Sequence, residues 1–156
     1  MRNRLAIGVA VMMVVGCAPP DTAPMTIQRT RATFSATKNV VWPLIIAEIG
    51  LNYPVQALEK ESGLITTQNV KVDAGYNNMY ASRFVVPPRG FLATWGGLRM
   101  NMRILAVEVE PGKTQVTINC HYEAFESNVQ KAWVIAATNG SVENEILSSI
   151  ESKLAK

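Results

Sequence analysis

Residues 98–125, LRMNMRILAVEVEPGKTQVTINCHYEAF, decide the fold. From Gln115 to Phe125 the chain alternates. Val116, Ile118, Cys120 and Tyr122 fall on one side, and Gln115, Thr117, Asn119, His121 and Glu123 fall on the other, which is the period of a strand with one buried face. Glu110-Pro111-Gly112-Lys113 carries turn chemistry, so Leu98 to Val109 is the partner strand of a hairpin. In that partner the apolar residues stand at 98, 100, 102 and 104 and then at 105, 107 and 109. This change of phase predicts either a bulge or a strand buried on both faces.

Working outward, the C-terminal side is a helix. Asn139-Gly140-Ser141 opens it, and Glu143 and Glu145 in the first turns and Lys153 and Lys156 at the finish complement the helix dipole. Val142, Ile146, Ile150 and Leu154 recur every four residues, with Leu147 widening the stripe, so one face packs on the sheet. On the N-terminal side, Tyr53 to Leu58 and Leu64 to Val72 read as a second hairpin around Glu59-Lys60-Glu61-Ser62-Gly63. Before it, Asn39 is placed to cap a helix over about residues 39–50, in which Val41, Ile45 and Ile49 share a face, Pro43 sits near the first turn and Gly50 ends it. Arg29 to Ala36 alternates weakly and forms a first strand. The expected fold is α+β, a mostly antiparallel sheet packed against a C-terminal helix and one shorter N-terminal helix.

The first 28 residues follow a different logic. Arg2 and Arg4 precede Leu5 to Gly16, which has no charge. A spanning helix needs about 20 apolar residues, so this run reads as a cleaved signal peptide covering 1–16. Val14-Val15-Gly16-Cys17 resembles the bacterial lipobox. The resemblance implies that Val14, Val15 and Gly16 are recognised by the lipoprotein signal peptidase, and that Cys17 carries a diacylglycerol thioether and an N-acyl chain. No other cofactor and no metal is expected. Ala18 to Gln28, APPDTAPMTIQ, holds three prolines and makes residues 17–28 a lipidated cysteine with an extended tether. Residues 29–156 then form one domain. Ala18 stands where an aspartate would mark inner-membrane retention, so the expected location is the outer membrane, with the domain in the periplasm.

Losing segment 1–16 removes two of the 15 basic residues and none of the 12 acidic ones, leaving a net charge of +1 and no cationic cluster in sequence. A nucleic-acid partner is not expected, and the membrane is engaged through the lipid. With Cys17 lipidated, Cys120 has no disulfide partner. His121 is the only histidine, and adjacent strand residues point to opposite faces, so neither a two-histidine metal site nor a Cys120–His121 dyad is available. The serines lie outside any nucleophile-elbow pattern, no Walker or dinucleotide glycine motif occurs, and the carboxylates at 59, 61, 108, 110, 123 and 126 mostly flank turns and strand ends. An enzyme is not expected.

Residues 73–97, DAGYNNMYASRFVVPPRGFLATWGG, are long for a loop and hold five of the 11 aromatics. Tyr76, Tyr80, Arg83, Phe84, Arg89, Phe91 and Trp95 are the candidate binding residues, since interface hot spots favour aromatics with arginine. The alternative is that Phe84-Val85-Val86 and Phe91-Leu92-Ala93 are short strands or a flap filling the core rim.

Val41-Trp42 opening the first helix, Glu59 to Ile65 at the hairpin, and Trp133 with Asn139-Gly140-Ser141-Val142-Glu143 entering the last helix resemble the helix-grip domains of the BamC lipoproteins, accessory members of the outer-membrane β-barrel assembly machine. The resemblance spans about residues 29–156. It implies a helix-grip fold and a non-catalytic interaction or accessory subunit of an envelope complex, and the aromatics and arginines of 73–97 make that segment the expected docking surface. A sheet wrapped on a long helix also leaves room for an apolar groove, so the alternative is a periplasmic carrier of a lipid or other hydrophobic ligand.

Overall fold

A computed structural model of the chain describes residues 27–72, 81–86 and 95–156. The elements run β1 (Arg31–Phe34), α1 (Lys38–Ile49), β2 (Val55–Glu59), β3 (Leu64–Thr67), β4 (Val70–Val72), β5 (Trp95–Glu110), β6 (Lys113–Glu126), β7 (Ala132–Ala136) and α2 (Ser141–Leu154). All pairings among these strands are antiparallel, in the order β1-β6-β5-β3-β2, with β4 further along β5 and β7 further along β6. The fold is therefore α+β, with a short N-terminal and a longer C-terminal helix.

The alternation of β6 holds along its whole length. Thr114, Val116, Ile118, Cys120, Tyr122, Ala124 and Glu126 are buried, and His121 is exposed. The phase change in β5 produces neither a bulge at 104/105 nor a strand buried twice. Ile104↔Ile118 and Leu105↔Thr117 are consecutive pairs, and burial keeps period two through Ala106. Leu105, Val107 and Val109 instead sit half-exposed on the far side of the sheet. The ladder shifts register only near its ends, between Trp95 and Leu98 and between Glu108 and Glu110.

Both helices lie on the other side. Val41, Trp42, Ile45 and Ile49 of α1 and Val142, Ile146, Leu147 and Ile150 of α2 join Ile65, Met100, Met102, Ile104, Ile118 and Tyr122 in one core. Burying such side chains contributes about 1.5–3 kcal/mol each. Helix α1 begins two residues before the capping position predicted for Asn39: Thr37 is the N-cap, its carbonyl accepts from the Val40 and Val41 amides, and Asn39 is helical. Pro43 consequently lies inside the helix, where its ring removes one hydrogen bond, that to the Asn39 carbonyl. The single strand expected over Leu64 to Val72 is two, β3 and β4, separated at Gln68-Asn69.

Two glycines are fixed by close approach. Gly63 (φ +75°) closes the β2–β3 turn with its carbonyl on the Ala106 amide, and a Cβ there would stand 2.0 Å from the Ala106 oxygen. Gly140 (φ +79°) precedes α2, and a Cβ there would stand 2.5 Å from the Gln28 oxygen. The second contact belongs to a clamp that fastens the incoming chain. The Gln28 amide donates to Asn139 O, the Arg29 guanidinium reaches Asn144, Ser148 and Glu151 along α2, and Thr30 O accepts from the Ile118 amide.

Candidate functional site

Because α1 and α2 cover one side of the sheet, the odd-numbered positions of β5 and β6 form a face toward water, and the registers map it. Arg31, Thr117, Leu105 and Leu64 make one row across the strands; Asn119, Arg103, Thr66 and Ala57 make the next; then come His121 with Asn101, and Ile135, Glu123, Arg99 and Lys71. The row after that holds Phe125 and Trp133. Rows lie roughly 7 Å apart along a strand.

The Phe125–Trp133 end is a built aromatic corner. The two rings meet edge to face, centroids 5.6 Å apart at 63°. The Arg99 guanidinium lies 4.3 Å from the Trp133 ring centroid, and its Nε donates to Glu123 Oε2 at 2.6 Å. Gly97 lies under the indole, its virtual Cβ 3.7 Å from the ring. That Arg99 hydrogen bond, and then the charges of Arg99 and His121, hold the Glu123 carboxyl below the usual range against desolvation. Stacking, ring pairing and ion pair together fix a side chain that still shows 38% of its surface, beside Ile135 at 76% and, in the preceding turn, Val129 at 72%. The turn itself is organised by Glu126, whose carboxyl accepts from the backbone amides of Asn128, Val129 and Gln130. Those donors hold it below the usual carboxylate range.

The helix side of the sheet carries a buried polar cluster. Strands β1 and β7 both pair with β6 but leave a gap around Cys120, and Glu143 of α2 fills it. Fully buried, its carboxyl accepts from the Cys120 amide at 3.3 Å and from Thr138 Oγ1 at 3.0 Å. Burial, and then Glu143, push the Cys120 thiol far above its ordinary pKa, so it is no nucleophile. The Tyr122 hydroxyl is buried beside the Cys120 thiol with no nitrogen or oxygen partner among the described residues, and burial, and then Cys120, raise it well above the tyrosine range. Tyr53 is raised by the same cause. Beside this cluster, a cavity of about 220 Å³ is lined by Tyr53, Val70, Val72, Phe84, Met100 and Val142, with Asn52 and Lys71.

Of the residues singled out in the sequence, Val14, Val15, Gly16, Cys17, Tyr76, Tyr80, Arg89 and Phe91 lie outside the described residues. Arg83 is exposed, and its carbonyl accepts from Ser141 Oγ at 2.6 Å. Phe84 is half-buried against the core and lines the cavity. Trp95 is a core residue, 6% exposed, at the start of β5. The segment's described aromatics thus follow the core-rim alternative, and of the described candidates Arg83 is the exposed one. Sequence reasoning passed over Trp133, Ile135, Phe125 and Arg99 as a group. Ala132 to Ala136, AWVIA, was legible as a strand with Trp133 and Ile135 on one face, but its position beside Arg99 depends on register.

Among the described residues no group of three His, Cys, Asp or Glu side chains is placed to hold a metal, and no helix is long and apolar enough to cross a membrane. Neither a protein-family model nor a curated protein matches the chain.

Proposed function

We propose that this chain is a lipid-anchored envelope lipoprotein whose domain acts without catalysis, as an interaction subunit docking on a protein of an envelope complex through the aromatic corner of its sheet. The observation that carries the reading is the corner itself. Trp133 is 38% and Ile135 76% exposed while Arg99, Phe125 and Gly97 hold the indole in place. A preorganised aromatic with an arginine is the composition of an interface hot spot, and its rigidity lowers the entropic cost of association. The anchor rests on the Val14 to Cys17 pattern. Each buried methylene of an acyl chain contributes about 0.8 kcal/mol, so two or more chains hold the domain at a bilayer without help from the protein surface.

The test has two arms. Cys17→Ser is expected to move the protein from the membrane to the soluble fraction; retention in the membrane would remove the anchor. A photo-crosslinking residue at 135 is expected to yield one discrete adduct in cells, lost with Trp133→Ala, whereas the same residue at exposed Leu51 on the helix side yields none. Adducts from 51 and not 135 would place docking elsewhere.

A second reading, carriage of a hydrophobic ligand, is favoured by the cavity between the end of α1, β4 and α2, whose walls are chiefly apolar. Native mass spectrometry after mild extraction separates the two: a carrier retains lipid mass that Val142→Trp displaces, and a docking subunit retains none.

A further inference from the structure

The sheet is interrupted at one place on its open face. Strand β3 pairs with β5 through Thr66↔Arg103, and β4 resumes at Val70↔Met100. Between them Gln68 and Asn69 leave the ladder, and the Met102 amide finds its acceptor in the Thr67 hydroxyl at 2.8 Å. Strand β2 is irregular at the same level, its register shifting between Val55 and Ala57 around Gln56. The two irregularities open a cleft of about 520 Å³, within the range of small-molecule sites.

Its walls are chemically one-sided. Gln56, Thr66, Asn69, Asn101 and Arg103 contribute polar groups, and none of the described lining residues is acidic. Arg103 takes part in no ion pair among the described residues, and its cross-strand neighbours Thr66 and Asn119 are neutral. Asn101 Nδ2 donates to Asn69 Oδ1 at 2.8 Å, which fixes both amides and leaves the Asn69 NH2 as a donor and the Asn101 carbonyl as an acceptor. A guanidinium presents a planar fork of donors matched to carboxylate or phosphate oxygens, and flanking amides and hydroxyls match a ligand's own hydroxyls. An acyl chain would leave those amides desolvated and unpaired.

We propose that this cleft binds a monosaccharide-sized, hydroxylated anion, with Arg103 on its carboxylate or phosphate and Asn69, Asn101 and Gln56 on its hydroxyls. The cleft shares no residue with the docking corner: Arg103 stands two rows from Arg99 and three from Trp133. The test is a titration of the full chain, ¹⁵N-labelled in a non-ionic detergent, with glucuronate, glucose 6-phosphate and neutral glucose. Saturable shifts centred on Asn69, Asn101 and Arg103 are expected with a dissociation constant of order mM, from at least one anion and not from glucose. A response to glucuronate alone identifies a carboxylate site, to glucose 6-phosphate alone a phosphate site, and to both a general oxyanion site. Arg103→Gln, at an exposed position that the fold does not depend on, should weaken binding about tenfold or more. Arg31→Gln, on the same face outside the cleft, should leave it within about twofold. No saturation by either anion up to about 50 mM, equal shifts with glucose, or wild-type affinity in Arg103→Gln would overturn the proposal.

Discussion

Glu143→Ala tests how the sheet is sealed between β1 and β7. The carboxyl it removes is the acceptor for the Cys120 amide, and Glu143 is 0% exposed while Cys120 is 8% exposed, so no water stands ready to replace it. An orphaned buried amide costs about 1–3 kcal/mol. Deleting the one side-chain methylene beyond Cβ removes about another 0.8 kcal/mol of burial. Thr138 is half-buried, keeps the Gly140 amide on its Oγ1, and gives its hydroxyl proton to water instead. The sum is about 3 kcal/mol, a large share of the 5–15 kcal/mol typical of a domain. At an m-value of about 2 kcal/mol/M, the urea midpoint of the Cys17→Ser chain should fall by about 1.5 M, followed by tryptophan fluorescence from buried Trp42 and Trp95. Glu143→Gln keeps a carbonyl for the Cys120 amide and should lose less than half as much. An Ala variant within about 0.5 kcal/mol of the parent, or a Gln variant as damaged as the Ala variant, would refute the idea that this acceptor closes the gap.

Two further outcomes concern pH. Glu48, held low by hydrogen bonds from Lys153 and Ser149, Glu123, held low by Arg99, and Glu126, held low by backbone amides, each have a folded pKa below the unfolded one. Their stabilisation is complete above the ordinary glutamate range near 4.3 and is lost as pH falls through the folded values, so the urea midpoint should hold steady from neutrality to about pH 5.5 and drop below about 4. A midpoint that rises on acidification contradicts this assignment. At the other extreme, Cys120 and Tyr122 are raised, so their contribution is complete below the unfolded values of 9.0 and 10.0 and declines above them. Tyr122→Phe removes a buried hydroxyl that has only the weakly bonding Cys120 thiol beside it among the described residues, and should leave stability unchanged or raise it by about 1 kcal/mol while flattening the alkaline decline. A loss above about 1 kcal/mol in this variant would mean that the hydroxyl is bonded.

The elements were legible where one period dominates. The β6 alternation and the α2 stripe are each set by a single buried face, and the structure keeps both. Glu143 was read only as a first-turn charge complementing the helix dipole, although it stands three, four and seven positions before Ile146, Leu147 and Ile150 and so also lies on their buried face. The β5 phase change misled because Leu105, Val107 and Val109 are apolar on a side that no helix covers, and alternation cannot tell a second buried face from an exposed apolar one. The aromatic corner joins β5, β6 and β7, and the cleft joins β2, β3 and β5. Both depend on pairings between distant segments, which no local pattern encodes.

The clamp on Arg29 also dictates when the domain can close. Its partners on α2 lie 115, 119 and 122 residues further along the chain, and β1 pairs with β6 across almost as long a loop. Contacts of such separation cost loop-closure entropy before they return any energy, which slows the step that forms them. The hairpins β2–β3 and β5–β6 need no such wait. Four residues of β1 and the stretch before it have nothing to settle against until β6 is in place and the last 14-residue helix has formed. The end of the chain that is made first is therefore the last to be fixed.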